Sequence, residues 1–289
     1  MGRSSCLSLK ETNPDEFSAN DRALNPGLQL ASRPQYAVQV RFSRLLTSPP
    51  GRRYITGMKT IGLVGGMTAE SSAEYYRIIN QTVRERLGGI HSGKIIMYSV
   101  DFGEIEPLME AGNWERITEI LKDAAWRLER SGADMLLLCT NTMHKLAGPI
   151  QSAIRIPLLS IIEVTAKRIL DAGLKTVGLL GTRFTMEDDF YRRPLEQKFR
   201  IKVLIPNKED REKVHHIIMD ELSIGKIETE SRNTYLRIIE KLRAEGAEGI
   251  ILGCTEIPLL VQAIHTSVPL FDTTRLHAEA AVDQALGKE

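Results

Sequence analysis

Two segments of this 289-residue chain echo each other: Gly132-Ala-Asp-Met-Leu-Leu-Leu-Cys-Thr-Asn-Thr-Met-His144 and Gly246-Ala-Glu-Gly-Ile-Ile-Leu-Gly-Cys-Thr-Glu256. Each opens on a helix-ending Gly-Ala, runs through Leu and Ile as a buried strand does, and stops at small nucleophilic and amide side chains. The echo extends outward, with Lys59–Gly65 matching Lys175–Gly181 and Ile156–Leu159 matching Val268–Phe271. The offsets are 175 − 59 = 116, 246 − 132 = 114 and 268 − 156 = 112. Landmarks repeated in one order at nearly one offset mark an internal duplication, and here they predict two similar α/β lobes.

Hydrophobic spacing fills in the lobes. Thr60–Val64 reads as a strand running into Gly65-Gly66, and Thr68–Leu87 as a helix capped by Thr68 or Ser71. Lys94–Val100 and Met135–Leu138 are further strands, Trp114–Ser131 a helix, His144–Ile154 a helical stretch and Ile156–Ile161 a strand. The second lobe repeats the plan through strands Val177–Leu180, Lys202–Ile205, Ile250–Leu252 and Leu270–Phe271. Its helices are Met186–Phe199, Glu209–Leu222 and Glu228–Glu245. Alternation of this kind gives parallel sheets flanked by helices, joined by right-handed crossovers. The lobes are assigned to 58–157 plus 268–289 and to 158–267, related by a pseudo-twofold axis. Residues 1–57, rich in scattered Ser, Pro and Arg, read as an N-terminal extension outside this fold: upstream sequence, a cloning remnant or a targeting peptide.

Thirty-eight Lys and Arg against thirty-seven Asp and Glu leave a net charge of +1, so no basic footprint for nucleic acid is visible. No apolar run reaches the roughly 20 residues that cross a bilayer. Cys6, Cys139 and Cys254 are too few and too scattered for a disulfide framework, which predicts a reducing, cytoplasmic setting. The histidines show no metal-ligand spacing, so no metal is expected. A small molecule is the expected partner.

Ligands of open parallel sheets bind beyond the carboxyl ends of the strands. The unusual small and polar residues all fall there: Gly65-Gly66-Met67, Cys139-Thr-Asn-Thr142, Gly181-Thr-Arg-Phe-Thr185 and Gly253-Cys-Thr-Glu256. The site is therefore expected in the cleft between the lobes. Gly62-Leu-Val-Gly-Gly-Met67 follows a strand and precedes a helix but is not Gly-x-Gly-x-x-Gly, so a dinucleotide reading is set aside.

These motifs resemble the aspartate/glutamate racemase family, from Met58 to about Lys288, and the pattern is most similar to bacterial L-aspartate/glutamate-specific racemases. The resemblance implies a homodimeric enzyme that inverts an amino-acid α-carbon without pyridoxal phosphate or any other cofactor. It implies two opposed proton-transfer groups, usually cysteines, one on each face of the carbon. Cys254 falls on one of these positions. The other is Thr140, with Cys139 one residue earlier. Setting Gly132 on Gly246 pairs Thr140 with Cys254 and Cys139 with Gly253, and neighbouring strand residues face opposite ways. Thr140 is therefore assigned opposite Cys254, with Cys139 as a small buried hydrophobe.

A thiol becomes a base once its pKa is lowered from about 8.5, whereas a threonine hydroxyl serves better as a donor, so unequal rates and preference for one enantiomer, L, are expected. The resemblance makes Asn141, Thr142 and Thr255 contacts to the substrate carboxylate and amino group. Met67, Thr182, Thr185 and Glu256 are further substrate-side candidates, and His144 is expected to act from behind them. Aspartate racemases of the family use basic residues for the side-chain carboxylate, and Met109 and Ser223 stand near those positions here. A broader-specificity amino-acid racemase, another small-acid reaction of the superfamily and a catalytically weak amino-acid-binding protein are the alternatives.

Overall fold

The computed structural model describes residues 57–287; the rest of the expected extension, Cys6 included, lies outside them. Two parallel sheets organise the chain. The first has the order β2-β1-β3, with β1 Ile61–Gly65, β2 Ile95–Ser99 and β3 Met135–Leu138. The second has the order β5-β4-β6-β7, with β4 Thr176–Gly181, β5 Lys202–Leu204, β6 Gly249–Gly253 and β7 Leu270–Asp272. Around them lie α1 Ala69–Leu87, α2 Phe102–Glu110, α3 Trp114–Arg130, α4 Ala147–Gln151, α5 Ile161–Asp171, α6 Arg183–Glu187, α7 Asp189–Gln197, α8 Lys208–Asp220, α9 Thr229–Ala244, α10 Ile257–Leu260 and α11 Thr273–Ala285.

The duplication is visible in the hydrogen-bond register. Ile61 stands opposite Met135 in the first sheet and Val177 opposite Gly249 in the second, the same pairing displaced by 177 − 61 = 116 and 249 − 135 = 114 residues. A bridge between Leu136 and Leu158 in the first sheet corresponds to Ile250 opposite Leu270 in the second. Strands β1, β3 and β6 are buried along their whole length, as parallel strands covered on both faces must be. Each fully buried aliphatic side chain there contributes roughly 1.5–3 kcal/mol.

The lobes exchange their last helices. α11 lays Ala278, Ala281, Val282 and Ala285 against Tyr75, Ile78, Ile79 and Val83 of α1 in the core of the first sheet. α5 places Ile161, Ile162, Ala166 and Ile169 in the core of the second. The expected boundaries at 158 and 268 cut through this exchange: Leu158 bridges to the first sheet, whereas β7 belongs to the second and only α11 returns to the first. The strand expected over Ile156–Ile161 shrinks to the Leu158 bridge, because Ser160 caps α5 by accepting from the backbone N–H of Glu163 at 3.3 Å. The helix expected over Met186–Phe199 is broken. The backbone is extended at Asp188, whose carboxylate accepts from Lys145 Nζ at 2.7 Å.

The loop after β1 is shaped by Gly66. Its φ of +91° lies in the left-handed region, and a Cβ there would run into the carbonyl oxygen of Val100. Only glycine fits, and the tight turn delivers Met67 and Thr68 to the cleft. No helix among the described residues is long and apolar enough to cross a membrane.

Candidate active site

Strand alternation decides which side chains leave β3 for the cleft. Met135, Leu137 and Cys139 pack into the core shared by α1 and α11, while Leu136 and Leu138 pack into the core under α2 and α3. Cys139 continues the ladder, its N–H donating to the Val64 carbonyl at 2.9 Å. Its side chain is wholly buried, its carbonyl accepts from Ser71 Oγ at 2.7 Å, and burial pushes the thiol pKa well up. It packs as a core residue. Thr140, one step on, lines the cavity between the lobes together with Cys254. The two repeats thus bring their equivalent strand ends to one space.

Cys254 stands at the end of β6 beside a buried carboxylate. Its thiol donates to Glu256 Oε2 at 2.9 Å, and Thr255 Oγ1 donates to the same oxygen at 2.8 Å. The other oxygen, Oε1, accepts from Thr68 Oγ1 at 2.6 Å across the cleft. The thiol pKa does not fall, as the sequence reading required for a base, but is held well above its ordinary value by burial and then by the Glu256 charge. The physical reason is plain: a second anion next to a carboxylate, in a buried site, is disfavoured. At rest Cys254 carries its proton.

Around these two residues lies a ring of hydroxyls and one amide. Thr142 Oγ1 is 3.0 Å from Thr182 Oγ1 and 3.4 Å from Thr185 Oγ1. Thr182 also caps α6 by accepting from the backbone N–H of Thr185 at 3.3 Å. Asn141 Nδ2 donates to Thr273 Oγ1 at 3.0 Å, and that hydroxyl donates onward to the Leu252 carbonyl at 2.8 Å. This chain orients the amide, leaving Oδ1 buried and without a partner among the described residues. Such an acceptor suits a substrate ammonium group.

His144 acts from behind Thr140. Its Nε2 accepts from the backbone N–H of Ile161 at 3.2 Å, so its proton resides on Nδ1, which donates to the Thr140 carbonyl at 2.9 Å. Burial lowers its pKa to about 4, so it is neutral and fixes the backbone at Thr140.

The structure brings Met67, Thr140, Asn141, Thr142, Thr182, Cys254, Thr255 and Glu256 to one cavity of about 40 Å³, with Thr185 and His144 in the layer behind. Thr68, Phe102, Met143, Ile218 and Met219 also line it. Of these, Thr68 had a sequence signal only as a helix cap. The apolar residues carried none, since helical spacing marks them as core. Among the described residues, no cluster of three or more His, Cys, Asp or Glu side chains is arranged to hold a metal.

A family model for Asp/Glu/hydantoin racemases matches residues 64–281. A crystal structure of a candidate Asp/Glu racemase from Yersinia pestis is 53% identical, with a TM-score of 0.74, over 79% of this chain and 100% of that one. An aspartate racemase homologue from Pyrococcus horikoshii is 38% identical, with a TM-score of 0.70, over 79% and 99%. The broad specificity amino-acid racemase RacX of Bacillus subtilis is 24% identical over 78% of this chain and 98% of its own length.

Proposed function

The chain belongs to the Asp/Glu/hydantoin racemase family and is an amino-acid racemase of its pyridoxal-phosphate-independent kind, and on that premise we propose that it inverts the α-carbon by proton transfer between Thr140 and Cys254. One observation carries this reading. The two equivalent strand ends of the duplicated fold bring proton-bearing side chains at matching positions, Thr140 after β3 and Cys254 after β6, to the same small cavity. Inversion needs a group on each face of the carbon, within hydrogen-bond reach.

In one direction the Cys254 thiol passes its proton to Glu256, the thiolate takes the α-proton, and Thr140 delivers its hydroxyl proton to the opposite face. In the other Thr140, its proton released to solvent, takes the α-proton and the Cys254 thiol delivers; exchange with solvent on product release restores Thr140, Cys254 and Glu256. Glu256 Oε2, already in contact with the thiol at 2.9 Å, is the acceptor that frees the sulfur. The substrate ammonium, arriving near Asn141 Oδ1, adds the positive charge that makes a thiolate beside Glu256 affordable. The substrate carboxylate is met by the hydroxyls of Thr142 and Thr255 and by backbone N–H groups of the turns that follow the strands. A hydroxyl is a far weaker base than a thiolate, so kcat differs between the two directions, with KM differing in proportion because the enantiomers are equal in free energy; the resemblance to L-specific racemases assigns the larger kcat to the L enantiomer.

The test is proton NMR in D₂O of L-aspartate, L-glutamate and their D enantiomers with the purified protein and no added cofactor, followed by chiral chromatography. Loss of the α-proton signal with inversion supports the reading. Absence of exchange for all of these and for neutral amino acids sinks it. Homodimerisation and cytoplasmic residence belong to the same proposal; native mass spectrometry and cell fractionation test them.

A further inference from the structure

The Glu256 carboxylate is held from both lobes. Its Oε2 accepts from the Cys254 thiol at 2.9 Å and from Thr255 Oγ1 at 2.8 Å, both in the second lobe. Its Oε1 accepts from Thr68 Oγ1 at 2.6 Å, and Thr68 stands in the turn between β1 and α1 of the first lobe. Thr68, Thr255 and Glu256 are all buried. The last torsion of a glutamate side chain is broad and roughly two-fold, so the side chain by itself does not fix the plane of its carboxylate. In a buried site that plane is set by donors, because an oxygen left without one carries the cost of its desolvation. Any rotation that takes Oε2 off the sulfur must also break the short, charge-assisted bond across the cleft.

Thr68 is itself firmly placed. Ser72 Oγ accepts from the Gly66 N–H at 2.7 Å and donates to the Thr68 carbonyl at 2.8 Å, closing the turn from within. The Ser71 N–H donates to Thr68 Oγ1 at 3.3 Å, which leaves the hydroxyl proton for Glu256. Ser71 Oγ donates to the Cys139 carbonyl at 2.7 Å, so the same turn is fastened to the end of β3 beside Thr140. One turn of the first lobe therefore touches the strand ends that carry both proton-transfer groups.

We infer that Thr68 is a positioning residue for racemisation: its hydroxyl holds the Glu256 carboxylate with Oε2 on the Cys254 sulfur, so that a turn of the first lobe completes the proton-transfer pair of the second. The inference rests on the racemase reading above, with Glu256 as acceptor of the thiol proton. Thr68 acts through Glu256 and transfers no proton itself.

The experiment measures α-proton exchange in D₂O and chiral inversion for the full chain, for Thr68→Val, Thr68→Ser and Glu256→Gln, and for Thr68→Val combined with Glu256→Gln. Both enantiomers of the amino acid that the parent protein exchanges fastest are used. Valine keeps the shape of threonine and removes the hydroxyl; Thr68→Ala removes the same hydroxyl should the valine variant not fold. In Thr68→Val, kcat is expected to fall about tenfold or more with KM changed by less than about threefold. Thr68→Ser restores the donor and is expected to recover most of the loss. With Glu256 already replaced by Gln, the valine change is expected to lower kcat/KM by less than about twofold, because the residue it acts through is gone. The cap that Thr68 gives α1 is lost in both backgrounds alike, so the comparison cancels it. An equal loss in both backgrounds, an undiminished kcat in Thr68→Val, or a rise in KM alone overturns the inference and leaves the racemase reading standing. No exchange of any amino acid by the parent protein overturns the racemase reading, and the inference with it.

Discussion

The thiol of Cys254 and the carboxylate of Glu256 are hydrogen-bonded at 2.9 Å in a site where both are almost wholly buried. The carboxylate has two effects on the sulfur: its charge keeps the thiol protonated, and in the proposed mechanism its oxygen receives the proton when substrate binds. Glu256→Gln removes both. Alkylation of Cys254 by iodoacetamide, followed by peptide mass mapping, is expected to begin at lower pH than in the parent protein. Racemisation is expected to fall by about 10² or more, the usual worth of a positioned proton acceptor. If both rates rise together, Glu256 is only a source of repulsion.

Cys139 and Thr140 are neighbours in the chain with wholly different surroundings. Cys139→Ala is expected to leave racemisation unchanged while costing about 1–2 kcal/mol of stability through the small cavity it leaves. Thr140→Ala is expected to abolish it, and Thr140→Cys to raise the slower of the two directions. Chiral chromatography of forward and reverse progress curves checks all three. Loss of activity in a folded Cys139→Ala protein would refute the assignment.

His144 and His277 hold the crossover from the first lobe to the second. His277 Nε2 donates to the Leu159 carbonyl at 2.9 Å, its Nδ1 accepts from Tyr75 OH at 2.8 Å, and His144 binds the Ile161 N–H on the same segment. Burial lowers their pKa values to about 4 for His144 and, with some help from His144, about 3 for His277. Both values lie below the unfolded value of about 6.5, so the unfolded chain binds more protons across that interval. Stability is accordingly complete above about pH 6.5 and is lost as pH falls below it, by up to about 1.4 kcal/mol per pH unit for each histidine. Urea unfolding between neutral pH and pH 5 measures the slope, which is expected to flatten in His277→Gln. A slope unaltered by that change would show that His277 is not the titrating group.

Gly66→Ala tests the turn that carries Met67 and Thr68 into the cleft. With φ at +91° and the Val100 carbonyl in the way of a Cβ, the substitution is expected to cost about 2–4 kcal/mol. Activity is expected to fall with stability, because Thr68 can no longer reach Glu256. Chemical denaturation and the exchange assay together check this.

Much of the architecture is legible in the chain. Strands β1, β3, β4 and β6 are continuous apolar runs ending in glycine or small polar residues, and the offsets of 116, 114 and 112 reappear in the pairing register. α5 and α11 were not legible. The apolar start of α5 imitates a strand, and the buried face of α11 is made of alanines and threonines with His277 and a single larger aliphatic, Val282, too weakly apolar to stand out until two lobes pack around it.

The sequence by itself determined the duplication, the parallel α/β class and the strand ends at which polar groups gather, because periodicity and punctuation by glycine are local properties. Alternation along β3 also favoured Thr140 over Cys139 for the cleft. Tertiary structure alone decided the rest. It joined Thr68 to Glu256 across 188 residues, surrounded the Cys254 thiol with burial and a carboxylate so that its pKa rises rather than falls, and turned Ile218 and Met219 from apparent core positions into the wall of a site. Proton affinity and substrate fit depend on which distant groups share a space from which water has been excluded, and no local pattern in the chain encodes that.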